Sequence, residues 1–279
     1  YLPRDHMPLT DAETALIDGF SNEYKLAGDA LLHEIEESVC GCAYGASSWT
    51  TREEADTAAD MLGLAPGRRL LDVGTGCGWP GLYLASASGC EAMLLDLPFS
   101  GLQAAARRAA EDDTAGRCQP VRADAGAIPF ADNSFDAIHH SDVLCCLEAK
   151  LDVLRECRRV LRPTGAMVFS VLAICPGLSK TEAEKAADTG PAFVDTPFDY
   201  VTMLEMVNWR ITKHIDVSAG FLQTADTLIE EEERHALRLA ALRGDARQGQ
   251  RLATLRKRRE GVSSGLICRE VYQVAPVRE

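Results

Sequence analysis

The sequence predicts an α/β protein built on a mostly parallel sheet. Between about residues 68 and 175, short apolar runs alternate with Ala-rich or charged stretches of helical length, the pattern of strands joined by crossover helices. The first of those runs opens into closely spaced glycines and then a helix. The length of 279 residues suits one large core with a modest appendage, because single cores stop growing near roughly 250 to 300 residues.

The strands are expected at Arg69 to Val73, Glu91 to Leu95, Gln119 to Arg122, Ala137 to His140 and Ala166 to Leu172. Helices are expected between them at Gly81 to Ala87, Gly101 to Glu111 and Leu151 to Leu161, the last closed by Arg162-Pro163-Thr164-Gly165 as a stop signal. Residues 1–65 read as an N-terminal helical cap, with helices at Asp11 to Gly19, Tyr24 to Ser38 and Arg52 to Leu62. Residues 66–175 form the core unit. Residues 176–279 begin with a Pro- and Gly-rich stretch, Cys175 to Pro197. A helix at Tyr200 to Asn208 and a strand at Arg210 to Val217 follow, then a long helical insertion at about 222–260, broken near Gly244, and a last strand at Leu266 to Val274.

A formal charge of −13 argues against a partner held through its phosphates. Nine Lys or Arg residues between Arg234 and Arg259 cut against this, but Glu230 to Glu233 precede them at spacings that allow helical ion pairs, so a solvated helix face is expected. The ten cysteines lack the spacing of a zinc knuckle and are expected to be free thiols in a reducing cytoplasm, with no metal bound. No apolar run approaches the roughly 20 residues a membrane span needs, and a cytoplasmic protein without a membrane partner is expected.

The chemistry concentrates in Asp72-Val73-Gly74-Thr75-Gly76-Cys77-Gly78-Trp79-Pro80-Gly81, where the backbone approaches a ligand at a helix N-terminus. Read as Gly76-x-Gly78-x-x-Gly81 it is a dinucleotide fingerprint, with Asp96 twenty residues after Gly76 as the ribose acid. Read as Asp72-x-Gly74-x-Gly76-x-Gly78 it resembles the first motif of the class I S-adenosylmethionine-dependent methyltransferases. Two further segments favour the second reading. Arg122-Ala123-Asp124-Ala125 through Phe135-Asp136 looks like the stretch in which that family's acid contacts the adenine amino group. Arg159-Val160-Leu161-Arg162-Pro163-Thr164-Gly165 is similar to its segment before the fifth strand.

The resemblance implies a Rossmann-like, seven-stranded, mostly parallel sheet flanked by helices, its last strand antiparallel, with a helical cap from the N- and C-terminal segments. It implies S-adenosyl-L-methionine as cofactor and a small-molecule methyl acceptor, with nucleic acid disfavoured. Gly74, Gly76 and Gly78 would form the floor under the methionine part. Asp72 would answer the cationic end, Asp96 the ribose hydroxyls, Leu97 the adenine face, and Asp124 and Ala125 its polar edge. Tyr44 and Trp49, in the stretch Ala43 to Trp49 that folds over the cofactor in small-molecule members, would shield the sulfonium or hold the cofactor carboxylate. The fourth strand ends in His139-His140-Ser141-Asp142, where open α/β sheets bind ligands. Ser141 is expected beside the cofactor. Strand alternation brings only one of the two histidines to a given face, and His140 is expected as a base with Asp142 orienting it or serving as a second base. His6, His33, His214 and His235 are expected to be structural or surface groups. A cofactor-binding subunit or sensor without catalysis is the rival reading, and a dinucleotide-dependent oxidoreductase a further one; oligomeric state and the identity of the acceptor are open.

Overall fold

A computed structural model describes residues 9–45 and 48–277. Seven strands, β1 Arg69–Val73, β2 Glu91–Asp96, β3 Cys118–Arg122, β4 Phe135–Ser141, β5 Leu161–Ile174, β6 Trp209–Asp216 and β7 Ile267–Pro276, form one sheet in the order β3-β2-β1-β4-β5-β7-β6. The first five run parallel, and β7 is antiparallel to both β5 and β6. The order reverses between β1 and β4, so the crevice at their carboxyl ends is the topological switch point where open α/β sheets take ligands.

Eleven α-helices are formed by the described residues: α1 Asp11–Tyr24, α2 Ala30–Cys40, α3 Arg52–Leu62, α4 Gly81–Ser88, α5 Phe99–Glu111, α6 Lys150–Val160, α7 Lys180–Thr189, α8 Tyr200–Met206, α9 Ser218–Arg234, α10 Ala236–Arg243 and α11 Asp245–Ser263. Alternation along β1 separates two cores. Leu70 faces a layer containing Leu62, Leu82, Leu84 and Ala105 from α3, α4 and α5. Leu71 and Val73 face the opposite layer, with Val153, Leu154, Met203 and Phe221 from α6, α8 and α9.

The caps explain the helix ends. Thr10 with Glu13 and Thr51 with Glu54 form capping boxes that start α1 and α3, and Gly41 and Gly63 end α2 and α3 in the left-handed region. Here α1 reaches Tyr24, five residues beyond the expected Gly19, and α2 begins only after Asp29 caps it. Within the Pro- and Gly-rich stretch, Ser179 and Glu182 make a capping box that starts α7, a helix the composition had concealed. The insertion breaks twice, at His235 as well as at Gly244. Arg162 to Gly165 lies inside β5, where the register against β4 shifts between Phe135 and Ala137. Eight of the ten cysteines are buried. Among the described residues no group of three or more metal-ligating side chains occurs, and no helix is long and apolar enough to cross a membrane. His6, Ala46 and Ser47 lie outside the described residues.

Candidate active site

The chain leaves β1 through Gly74 (φ 70°) and Gly76 (φ 54°), both in the left-handed region. Neither has room for a Cβ: one at Gly74 would strike Val143, and one at Gly76 would meet the Tyr24 hydroxyl at 3.0 Å. The turn is tied to the end of β2 by Gly76 N–H, which donates to Asp96 Oδ2 at 2.7 Å, while Leu97 N–H donates to Asp96 Oδ1 at 2.7 Å. Burial, with Asp72 adding to it against those two donors, pushes the Asp96 carboxyl up to about 6. Gly78 does not reach the cavity. A Cβ there would run into Leu82 and Ala105, so this glycine is required by the close approach of α4 and α5 behind the loop.

Asp72, 1% exposed, sits on the α3–α5 face of the sheet and shares a 2.8 Å hydrogen bond between its Oδ1 and His139 Nδ1. Register explains the pairing: Asp72 and His139 are neighbours across β1 and β4 and point to the same face. The second oxygen, Oδ2, is buried and has no partner. A buried carboxylate oxygen left without a donor is costly; it lies against Gly81 at the start of α4, and Asp72 lines a cavity together with Gly74, Gly76, Asp96, Leu97, Asp124 and Ala125. A carboxylate at that wall, incompletely satisfied by its protein partners, suits the cationic end of S-adenosylmethionine, so the residues present fit the cofactor. Asp124 also caps its own turn, accepting from Gly126 N–H at 2.7 Å.

The cavity, about 570 Å³, runs from this floor to the inner faces of α1, α2, α9 and α11. Its cap is held by buried ion pairs. Glu232, 1% exposed, binds Arg243 at 3.0 Å, Arg251 at 2.7 Å and Gln248 at 2.7 Å, and Glu23 on α1 binds Arg243 at 2.6 Å and Arg247 at 3.1 Å. Arg251 and Arg243, against burial, hold the Glu232 carboxyl below its ordinary range. The basic stretch is thus in large part the inner clamp of the cap, joining α1 to the C-terminal insertion, and not simply a solvated face.

Trp49 lines the cavity, its ring 4.7 Å from Phe221. Tyr44 does not: its ring lies 5.1 Å from Trp79 and under the Arg108 guanidinium at 4.6 Å, turned toward the outer side of α4 and α5. Its backbone N–H and that of Gly45 donate to Glu36 at 2.6 Å, which fixes the segment over the site through its main chain. Tyr24, packed on Gly76 and Gly101, occupies the place over the glycine turn. Nothing in its local sequence marks it beyond an aromatic residue at a helix end.

Ser141 lines the cavity and bonds the hydroxyls of Thr50 and, at 3.0 Å, Ser170. Asp142 lines it too, at φ 54°, with its carboxylate bound to the buried Arg269 guanidinium at 3.0 Å. Arg269 also holds Glu54 at 2.6 Å. His140 is not brought to this place. It has the parity of Ile138, faces the α6–α8 side, is 0% exposed and stacks on Phe169 at 4.7 Å. Both its ring nitrogens are buried without partners, and burial followed by the neighbouring His139 pulls it down to about 3. Asp142 therefore orients Arg269 and not His140, and the histidine tied to the site is His139, through Asp72.

A family profile described as a methyltransferase domain matches residues 71–169. The chain is 31% identical over 151 residues to a 27-O-demethylrifamycin SV methyltransferase of Amycolatopsis mediterranei, an overlap covering 52% of this chain and 56% of that protein. It spans about half the length of the curated relatives it matches. Among solved structures it resembles the [4+2]-cyclase SpnF (TM-score 0.77, 21% identity, 98% of this chain and 99% of that one). It also resembles a geranyl diphosphate C-methyltransferase of Streptomyces coelicolor, solved with Mg2+, geranyl diphosphate and S-adenosyl-L-homocysteine (TM-score 0.71, 16% identity, 97% and 100%). At these identities the two structures speak to the fold.

Proposed function

We propose, from the premise that this chain carries a methyltransferase domain of the class I, S-adenosylmethionine-dependent kind, that it transfers a methyl group to a small-molecule acceptor held between sheet and cap. The observation that carries the reading is the single cavity that joins the glycine turn, Asp72 and Asp96 to the inner face of α11. Such a cavity encloses a small acceptor beside the cofactor and excludes water from both. The acceptors named for the relatives, a rifamycin and geranyl diphosphate, are themselves small molecules. Nucleic acid is disfavoured because Arg243, Arg247, Arg251, Arg256 and Arg259 are already spent on carboxylates. The buried cysteines support a reducing, cytoplasmic setting.

When bound, the cofactor supplies an already activated methyl group. This chain's part is placement. Asp72, itself positioned by His139, sets a negative charge beside the cationic end of the cofactor. Asp96, fixed by Gly76 and Leu97, presents the remaining acceptor capacity of both carboxylate oxygens to the ribose. Trp49 and Tyr24 close the floor from the cap side. Positioning and exclusion of water account for the acceleration without a dedicated base. Asp142 is committed to Arg269, and His140 lies outside the cavity.

Commitment of Asp142 also favours a second reading, a cofactor-binding chain that does not methylate. Calorimetric titration with S-adenosylmethionine, S-adenosylhomocysteine and NAD tests the first. Micromolar binding of the two sulfur compounds and none of NAD is expected. Binding of NAD alone would overturn it. Methyl turnover on any acceptor removes the second.

A further inference from the structure

Helix α11 turns one stripe of its surface into the cavity: Arg247, Arg251, Leu255 and Arg258, at steps of three and four residues. Its arginines are otherwise paired. Arg247 binds Glu23 at 3.1 Å, Arg251 binds Glu232 at 2.7 Å, Arg256 binds Glu233 at 2.6 Å and Arg259 binds Asp226 at 2.7 Å. Arg258 alone among them has no carboxylate partner among the described residues, and its Nε is buried with no hydrogen-bond partner. Of the acids on the cavity wall, Asp142 is bound to Arg269, and Glu23 and Glu232 to the other arginines. Cys146 lines the same cavity. The Cys145 thiol and, against burial, the Arg258 charge draw the Cys146 thiol below its ordinary value. Lys150 on the same side is occupied, its Nζ donating to the carbonyls of Leu147 at 2.7 Å and Phe193 at 2.5 Å.

A partly buried guanidinium without a counter-charge costs folding free energy that a neutral residue would not. Its fork of donors matches the oxygens of a carboxylate or a phosphate. Apart from the paired groups of the clamp, the cap side of the cavity carries an apolar stretch, with Leu16, Ile17, Phe20, Leu32, Val39 and Leu228. We propose that Arg258 anchors an anionic group, a carboxylate or a phosphate, on an otherwise apolar acceptor. The proposal rests on the reading of this cavity as the acceptor site of a methyltransferase.

The test uses the full chain saturated with S-adenosylhomocysteine and titrated calorimetrically with octanoate, octyl phosphate and octanol. The wild type is expected to bind at least one of the anions about tenfold more tightly than octanol, as a charge-assisted pair allows, and the tighter anion identifies the group. Arg258→Lys should retain part of that preference and Arg258→Gln should lose it, with S-adenosylhomocysteine affinity held within about twofold of the wild type, well under the tenfold that one such pair is worth. Equal binding of octanol and both anions by the wild type would overturn the proposal, as would a preference that survives in Arg258→Gln. A loss of S-adenosylhomocysteine affinity in Arg258→Gln would also overturn it, by assigning Arg258 to the cofactor's own carboxylate. Failure of the wild type to bind S-adenosylhomocysteine at all would strike the underlying methyltransferase reading instead.

Discussion

Asp96→Asn separates binding from folding at one carboxylate. In the wild type both oxygens already accept a backbone N–H at 2.7 Å, from Gly76 and Leu97, and burial raises the group from its ordinary 3.8 to about 6. Hydroxyl donors from a ribose add charge-assisted hydrogen bonds, whose loss costs about 2 kcal/mol, or roughly thirtyfold in affinity. An amide makes matters worse, because its NH2 must face either the Gly76 or the Leu97 N–H, donor against donor. Stability moves differently. Since the folded-state value lies above the unfolded one, the ionised form opposes folding above about pH 6, and the folded protein takes up a proton as pH falls through the window from 6 to 3.8. Removing the charge relieves that cost while leaving one N–H without an acceptor, and the two effects offset. Cofactor binding has the opposite sign, because ribose donors favour the ionised form: wild-type affinity should fall about tenfold between pH 7.5 and 5, and the Asn variant should show a flat profile. Calorimetric titration with S-adenosylhomocysteine across that range, with thermal melts alongside, reads all of this. Affinity within twofold of the wild type, or a profile that still breaks near pH 6 in the variant, would remove Asp96 from the cofactor site.

His140→Phe should leave turnover per folded molecule unchanged and keep stability near wild type, since the ring stacks on Phe169 and neither nitrogen has a partner. His140→Ala should instead cost about 2–4 kcal/mol by opening a cavity in the core, read by urea denaturation; a variant that is fully folded but inactive would restore His140 to the chemistry. Glu232→Gln should destabilise the protein by about 3 kcal/mol, because it strands Arg251 without its buried counter-charge and leaves Arg243 with Glu23 alone, and an unchanged urea midpoint would show the clamp to be idle. As Glu232 is held below its ordinary range, its stabilisation is present above that range and is lost only as pH falls through the lowered value, so wild-type and variant melts should converge toward acid pH.

The parallel strands are legible because strands buried on both faces are short apolar runs with little else they could form, and the glycine turn because only glycine supports its backbone. Asp96 and Asp72 follow from their distance to that turn. Less legible is anything decided by parity or by partners distant in the chain. His139 and His140 differ by one residue, and which of them shares a face with Asp72 depends on the pairing of β1 with β4, which spacing alone does not fix. Tyr24 reaches Gly76 only because α1 runs a turn further than its composition suggests. The arginines of α10 and α11 do find Glu232 and Glu233, but across helices and not along one helix, and they also find Glu23, 220 residues away from Arg243, which local spacing does not offer. Tyr44 lies in the expected stretch but turns its ring outward, and what the stretch contributes there is main-chain hydrogen bonding to Glu36.

The helices α9 to α11 leave the sheet after Asp216 and return at Ile267, and those two ends are already neighbours: Asp216 pairs with Glu270, and Val217 N–H donates to the Arg269 carbonyl at 2.8 Å. An excursion whose ends are pinned together can change in length or be exchanged for another at little closure cost, since that cost grows only with the logarithm of length. The fold therefore carries the C-terminal part of the cap as a replaceable cassette clipped to two antiparallel strands, while the glycine turn and its carboxylates on the parallel strands stay untouched. The clip is not inert. Arg269, at its base, is also the residue that holds Asp142 and Glu54, so exchanging the cassette places new demands on one arginine before any other residue of the floor.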